Sequence, residues 1–137
     1  MEYELAESHK SREHVAQVEI TIEEAFSRHY VRFCPRDAWK PNINIYESAG
    51  DLLICVDIAG MDPRAIHVEI EGRLLALRGE RPRPIPEPAG SPLDVHLMEI
   101  DIGPFCREVE LPPGLNPQRI TASYQNGLLW IKVPKLP

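Results

Sequence analysis

From Asn42 onward, apolar residues recur at every second position. Ile43 and Ile45 form a first pair, Leu52, Ile54, Val56 and Ile58 a longer run, and Ile66, Val68 and Ile70 a third. Such alternation places one set of side chains on each face of an extended strand. In the run 52–58 the second set, Leu53 and Cys55, is also fairly apolar, which predicts a central strand covered on both faces. His67 and Glu69 interrupt the next run, so a half-exposed strand is expected there. Apolar residues return at 74–77, Phe105, Val109 and Leu111 share a face, and two further runs at 120–124 and 128–133 close the series.

Turn formers separate these runs: Ala49-Gly50-Asp51, Gly60-Met61-Asp62-Pro63, Gly72, Pro112-Pro113-Gly114 and Gln125-Asn126-Gly127. Asn-Gly between two apolar runs is a strong hairpin signal, because both residues tolerate positive φ. Seven or more short strands punctuated in this way predict an all-β protein, an immunoglobulin-like antiparallel β-sandwich. Between Arg81 and Pro92 stand five of the chain's 14 prolines. Proline gives no backbone donor to a ladder, so 81–98 is expected to be a long loop. Within it Val95 and Leu97 alternate with polar neighbours, which suggests a brief strand away from its sequence neighbours.

Ahead of the sandwich the pattern differs. Residues 1–14 are polar and charged and are expected to be disordered. Thr21 and Glu24 have capping-box spacing, and Ile22, Ala25, Phe26 and Tyr30 follow at helical intervals, which predicts a short amphipathic helix over 22–32 ended by Pro35. The expected organisation is therefore an N-terminal arm over 1–38 and a domain over 39–137.

Composition then removes several function classes. Among 137 residues the net charge is −6, with no basic cluster, which argues against a nucleic-acid partner. No apolar run approaches 18 residues and no signal-like start is present, so a membrane span is not expected and the cytoplasm is the plain location. Cys34, Cys55 and Cys106 are widely spaced, which suggests neither a zinc clamp nor a disulfide framework; all three are expected to be reduced, with Cys34 the most reactive. Ser91, Asp94 and His96 are the nearest approach to a triad, but they lie in or beside the proline-rich loop with no nucleophile elbow. The five histidines (9, 14, 29, 67 and 96) form no metal motif, and no glycine-rich phosphate loop occurs. No catalysis, metal or cofactor is expected.

Four segments, taken in order, resemble the α-crystallin domain of small heat-shock proteins. Trp39-Lys-Pro41 with 43–47 resembles the approach to the family's second strand, and Ile58-Ala-Gly60 resembles its Leu-Pro-Gly turn, with Ala59 where proline is usual. Leu77-Arg-Gly-Glu-Arg81 resembles the segment leading into a long loop. Glu99, Gly103-Pro-Phe-Cys-Arg107 and Leu111-Pro112 resemble the run after it, and Ala122 with 126–135 gives the most specific match. The length of the loop resembles the bacterial and plant branch.

The resemblance implies an ATP-independent holdase that binds non-native client proteins, built from homodimers in which a loop strand crosses to the partner. It implies a dimer interface at Val95, Leu97, Glu99 and Arg107. Arg107 shares a strand face with Phe105 and Val109, where a guanidinium needs a partner, and Glu99, within the chain or across the subunit boundary, is the first candidate. It also implies an apolar groove between Ile66, Val68 and Ile70 on one strand and Ile120 and Ala122 on another. The family usually carries a C-terminal Ile-x-Ile or Ile-x-Val that plugs a groove on a neighbouring dimer; this sequence stops at Lys135-Leu136-Pro137, which puts that assembly route in doubt. Ile20 and Ile22 have the same spacing and are the candidate plug, against the plainer reading that both belong to the helical arm. An adaptor sandwich of the p23 type, binding one defined partner, is the alternative function.

Overall fold

The computed structural model describes residues 21–24, 34–86, 90 and 92–137. Among these residues eight strands occur: β1 (Thr21–Glu24), β2 (Ile43–Glu47), β3 (Asp51–Asp57), β4 (His67–Glu71), β5 (Leu74–Arg81), β6 (Gly103–Glu110), β7 (Thr121–Gln125) and β8 (Leu128–Pro134). They form two four-stranded sheets in the orders β1-β4-β5-β6 and β2-β3-β8-β7. All ladders are antiparallel except β1 with β4.

The alternation read from the sequence is the core. Leu52, Ile54 and Val56 of β3 and Leu129, Ile131 and Val133 of β8 face Val68 and Ile70 of β4, Leu75 and Leu77 of β5 and Phe105 of β6. Fully burying an aliphatic or aromatic side chain stabilises by roughly 1.5–3 kcal/mol, so this double layer dominates the energetics. β3 is covered on its outer face as well. Tyr46, across from Leu53, stacks on Trp130, across from Cys55, with ring centroids 6.3 Å apart, and Cys55 is buried.

The β7–β8 hairpin turns at Asn126 and Gly127, with φ of 54° and 76°. Two successive positive values fit the primed turn that the right-handed twist of a hairpin favours. Gly127 also lies against the turn after β3: a Cβ there would stand 2.9 Å from the Ala59 Cβ, and Ile58 N donates to Gly127 O at 3.0 Å.

Two expectations are corrected. Thr21–Glu24, the start of the expected helix, is a strand, with Thr21 opposite His67 and Glu24 opposite Ile70. Helical spacing in so short a segment yields to the hydrogen bonds offered by the free edge of β4; 25–32 lies outside the described residues. Residues 95–98 pair with no strand of their own chain, and the strand expected there is one that crosses to a partner subunit. Finally, the cysteines are not all reduced. Cys34 and Cys106 are joined in a disulfide, with Cα atoms 5.4 Å apart, and only Cys55 is free. A sequence separation of 72 hid this pairing, which tertiary folding alone creates.

Candidate functional site

Three surfaces carry the residues singled out by sequence. The first is the loop between β5 and β6. Its base is held firmly: the Arg81 guanidinium donates from Nε and Nη2 to Asp101 O, at 2.7 and 2.5 Å, and lies 4.2 Å from the centre of the Trp39 ring. Trp39 in turn donates from Nε1 to Gly103 O at 3.1 Å, stacks at a tilt on Phe105, and bridges β6 through its backbone. The two ends of the loop are thus clamped by one planar cation and one indole, a pairing suited to guanidinium rather than ammonium.

Beyond that clamp the loop presents apolar side chains to solvent. Ile85, Leu93, Val95, Leu97, Met98 and Ile100 are all exposed, Leu97 at 77% and Ile85 at 72%. They curve around an open cleft of about 750 Å³. Val95 and Leu97 are among these exposed residues, and Glu99 is exposed on the same loop. Single exposed apolar residues are common, whereas contiguous apolar patches of roughly a few hundred Å² are the ones associated with interaction sites.

Arg107 lies elsewhere, on β6 opposite Leu77. Its Nη1 donates to Pro41 O at 3.3 Å, so within the chain its partner is a carbonyl near the start of β2. Glu99 and Arg107 are not brought together in the single chain.

The second surface is the outer edge of β2, which ends its sheet and has β3 as its one neighbour among the described residues. Ile45 and Tyr46 on this strand are exposed at 45% and 48%. An edge of this kind offers a row of backbone donors and acceptors to an incoming strand.

The third is the space between β4 and β7, edge regions of opposite sheets. Ile66, Val68 and Ile70 are buried in the core, and Ile120, Ala122 and Tyr124 pack against it half-buried. Tyr124 ties this region to the turn after β3: its hydroxyl donates to Ile58 O at 2.8 Å and accepts from Met61 N at 3.3 Å. The outer edge of β4 is taken by β1, with Ile22 paired to Val68. Ile20 lies outside the described residues. Sequence reasoning missed the Tyr124 tether and the Arg81–Trp39 clamp, because each joins residues more than 40 positions apart and leaves no local pattern.

No group of three metal-ligating side chains occurs among the described residues, and no helix there is long and apolar enough to cross a membrane. Two four-stranded sheets packed on one core, with a long clamped loop between β5 and β6, define a β-sandwich. The sequence profile of the Hsp20/alpha crystallin family matches residues 44–137, more than half of the chain, and the chain belongs to that family. Small heat-shock proteins are chaperones rather than enzymes, and members of the family form oligomers.

Among curated relatives, a 19.0 kDa class II heat shock protein of Oryza sativa subsp. japonica is 33% identical over 115 residues, covering 81% of this chain and 66% of the relative. Among solved structures, the hspA protein of Xanthomonas axonopodis is 32% identical with a TM-score of 0.62, covering 71% of this chain and 94% of that one. A small heat-shock protein of Xylella fastidiosa, described as having a distinct high order structure, is 30% identical with a TM-score of 0.63, covering 72% and 88%. The chain spans about two thirds or less of the length of the curated relatives it matches.

Proposed function

We propose that the chain is an ATP-independent holdase that binds partly unfolded proteins and prevents their aggregation, acting in the cytoplasm without cofactor. The observation that carries this reading is the set of exposed apolar side chains Ile85, Leu93, Val95, Leu97, Met98 and Ile100 above a clamped loop base. Apolar surface of this kind costs solubility in an isolated chain and is retained where it meets another polypeptide.

The building block of this reading is a homodimer. The loop of one subunit, with Val95 and Leu97, lies along the open edge of β2 in the other, supplying the partner strand that 95–98 lacks within its own chain. Glu99 then approaches Arg107 across the boundary, replacing a carbonyl contact with a charge-assisted one. Clients and plugs are accepted at the groove of Ile66, Val68, Ile70, Ile120 and Ala122 by strand addition, which reads backbone more than side chain. The parallel pairing of β1 with β4, Ile22 beside Val68, supports Ile20 and Ile22 as the chain's own plug. Each isoleucine contributes at most about 1.5–3 kcal/mol before ordering costs, so such a plug exchanges readily.

Three experiments test this. The full chain should suppress heat-induced light scattering of an unrelated client without ATP, and no protection at equal mass would overturn the holdase. Its mass in solution should be that of a dimer or larger, whereas a monomer would favour the adaptor. Replacing Ile20 and Ile22 by Ser should change the oligomer's size; an unchanged mass would sink the plug.

A further inference from the structure

The disulfide between Cys34 and Cys106 joins two cysteines in unlike settings. Cys106 stands in the middle of β6, opposite Arg78, and is only 1% exposed. Cys34 is half-buried, at the root of the arm, ahead of the turn in which Ala38 N donates to Pro35 O at 3.1 Å. A dissolved small molecule can reach the second far more readily than the first.

The root of the arm is held to β6 without the sulfur bond. Trp39 N donates to Pro104 O and Cys106 N donates to Trp39 O, each at 3.1 Å. Cys34 is five residues from this bridge, so after reduction its sulfur stays close to Cys106. Holding two reactants together in this way raises their effective concentration far above that of a thiol on another chain. Cys55 does not compete: it is buried, and burial, with the nearby Asp57 carboxylate, pushes its thiol up and away from the reactive thiolate.

We propose that Cys34 and Cys106 form a reversible thiol-redox site for low-molecular-weight disulfides of the glutathione type, with Cys34 as the attacking and Cys106 as the resolving residue. The Cys34 thiolate attacks one sulfur of the small disulfide, forming a mixed disulfide on Cys34 and expelling one small thiolate. The Cys106 thiolate then attacks Cys34 Sγ, closing the internal bond and expelling the second. The protein loses two electrons and two protons, and one small disulfide becomes two thiols. Excess small thiol reverses both steps. The product ties the arm to β6 within one chain and diverts Cys34 from linking chains to one another.

The test is made on the reduced full chain, treated with oxidised glutathione under native conditions, quenched with acid and weighed intact. The wild type should lose two hydrogens with no lasting adduct, and digestion should yield the Cys34–Cys106 linked peptide. Cys106→Ala should retain one glutathionyl group on Cys34, and Cys34→Ala should take none. Oxidation should raise the Tm of the wild type by about 10 °C, reversed by dithiothreitol, as expected for closing a long chain loop. A persistent adduct on the wild type, a disulfide-linked dimer, or an internal bond to Cys55 would overturn the assignment. The peptide map requires no variant, so the outcome stands even where Cys106→Ala does not fold.

Discussion

The ring of Phe105 occupies the space that a side chain at Gly79 would need. The two residues face each other across the β5–β6 ladder, and a Cβ at position 79 would meet Phe105 Cζ and Cε1 on one side and, at 3.0 Å, the carbonyl of Ala65 on the other. Neither neighbour is free to retreat, since Phe105 is buried and also packs against Trp39, and Ala65 belongs to a one-turn 3-10 helix. Gly79→Ala should therefore cost about 1–3 kcal/mol, the usual range for overpacking a close-packed site. Urea unfolding measures it, and in a Phe105→Leu background the same change should cost less; equal losses in both backgrounds would exclude the contact as the cause.

Tyr124 holds β7 to the turn after β3 through one hydroxyl with two partners, Ile58 O and Met61 N. Tyr124→Phe keeps the ring's packing and leaves a half-buried amide and carbonyl without that partner. A loss of about 1–2 kcal/mol is expected. Hydrogen exchange at Met61 should quicken while that of β8 stays unchanged. Uniform acceleration across both would point to global destabilisation instead.

Arg81 should not tolerate lysine. An ammonium can neither donate in parallel to Asp101 O from two nitrogens nor lie flat over Trp39, so Arg81→Lys should loosen the loop base with little change in charge. Limited proteolysis reports this directly: cleavage between 82 and 102 should become several-fold faster, while the sandwich retains its far-UV spectrum. Unaltered cleavage would mean that the clamp does not restrain the loop.

Cys55 should be slow to alkylate in the folded chain. Its thiol is pushed up by burial first and by Asp57 second. A raised value means that the neutral form is favoured in the fold, so its thiolate, the reactive species, appears only as pH rises beyond the range where an unfolded cysteine already ionises. Iodoacetamide labelling of native protein should therefore leave Cys55 intact near pH 8 and reach it upon addition of urea. Rapid native labelling would show that the outer face of β3 opens.

Much of the sandwich was legible because alternation with period two and Asn-Gly are local signals. Leu52, Ile54, Val56 and Ile58 are buried as a set, and Asn126-Gly127 makes the hairpin. The loop was legible from its prolines, and its apolar residues were readable as a surface once the family resemblance was seen. At Thr21–Glu24 the helical spacing read over 22–32 gives way to the backbone pairing offered by the edge of β4. Within the single chain Arg107 donates to Pro41 O, a contact that face-sharing along a strand does not reveal.

The sequence by itself determined which residues are buried, where the chain turns, and that no catalytic or metal-binding motif is spelled out, because burial and turn geometry depend on neighbours a few positions away. Tertiary structure alone decided which cysteines meet, what clamps the loop, and which strand covers β4. Those contacts join residues 72, 42 and 46 positions apart, from 34 to 106, 39 to 81 and 22 to 68. Such distances are bridged only when two sheets have already closed on a common core.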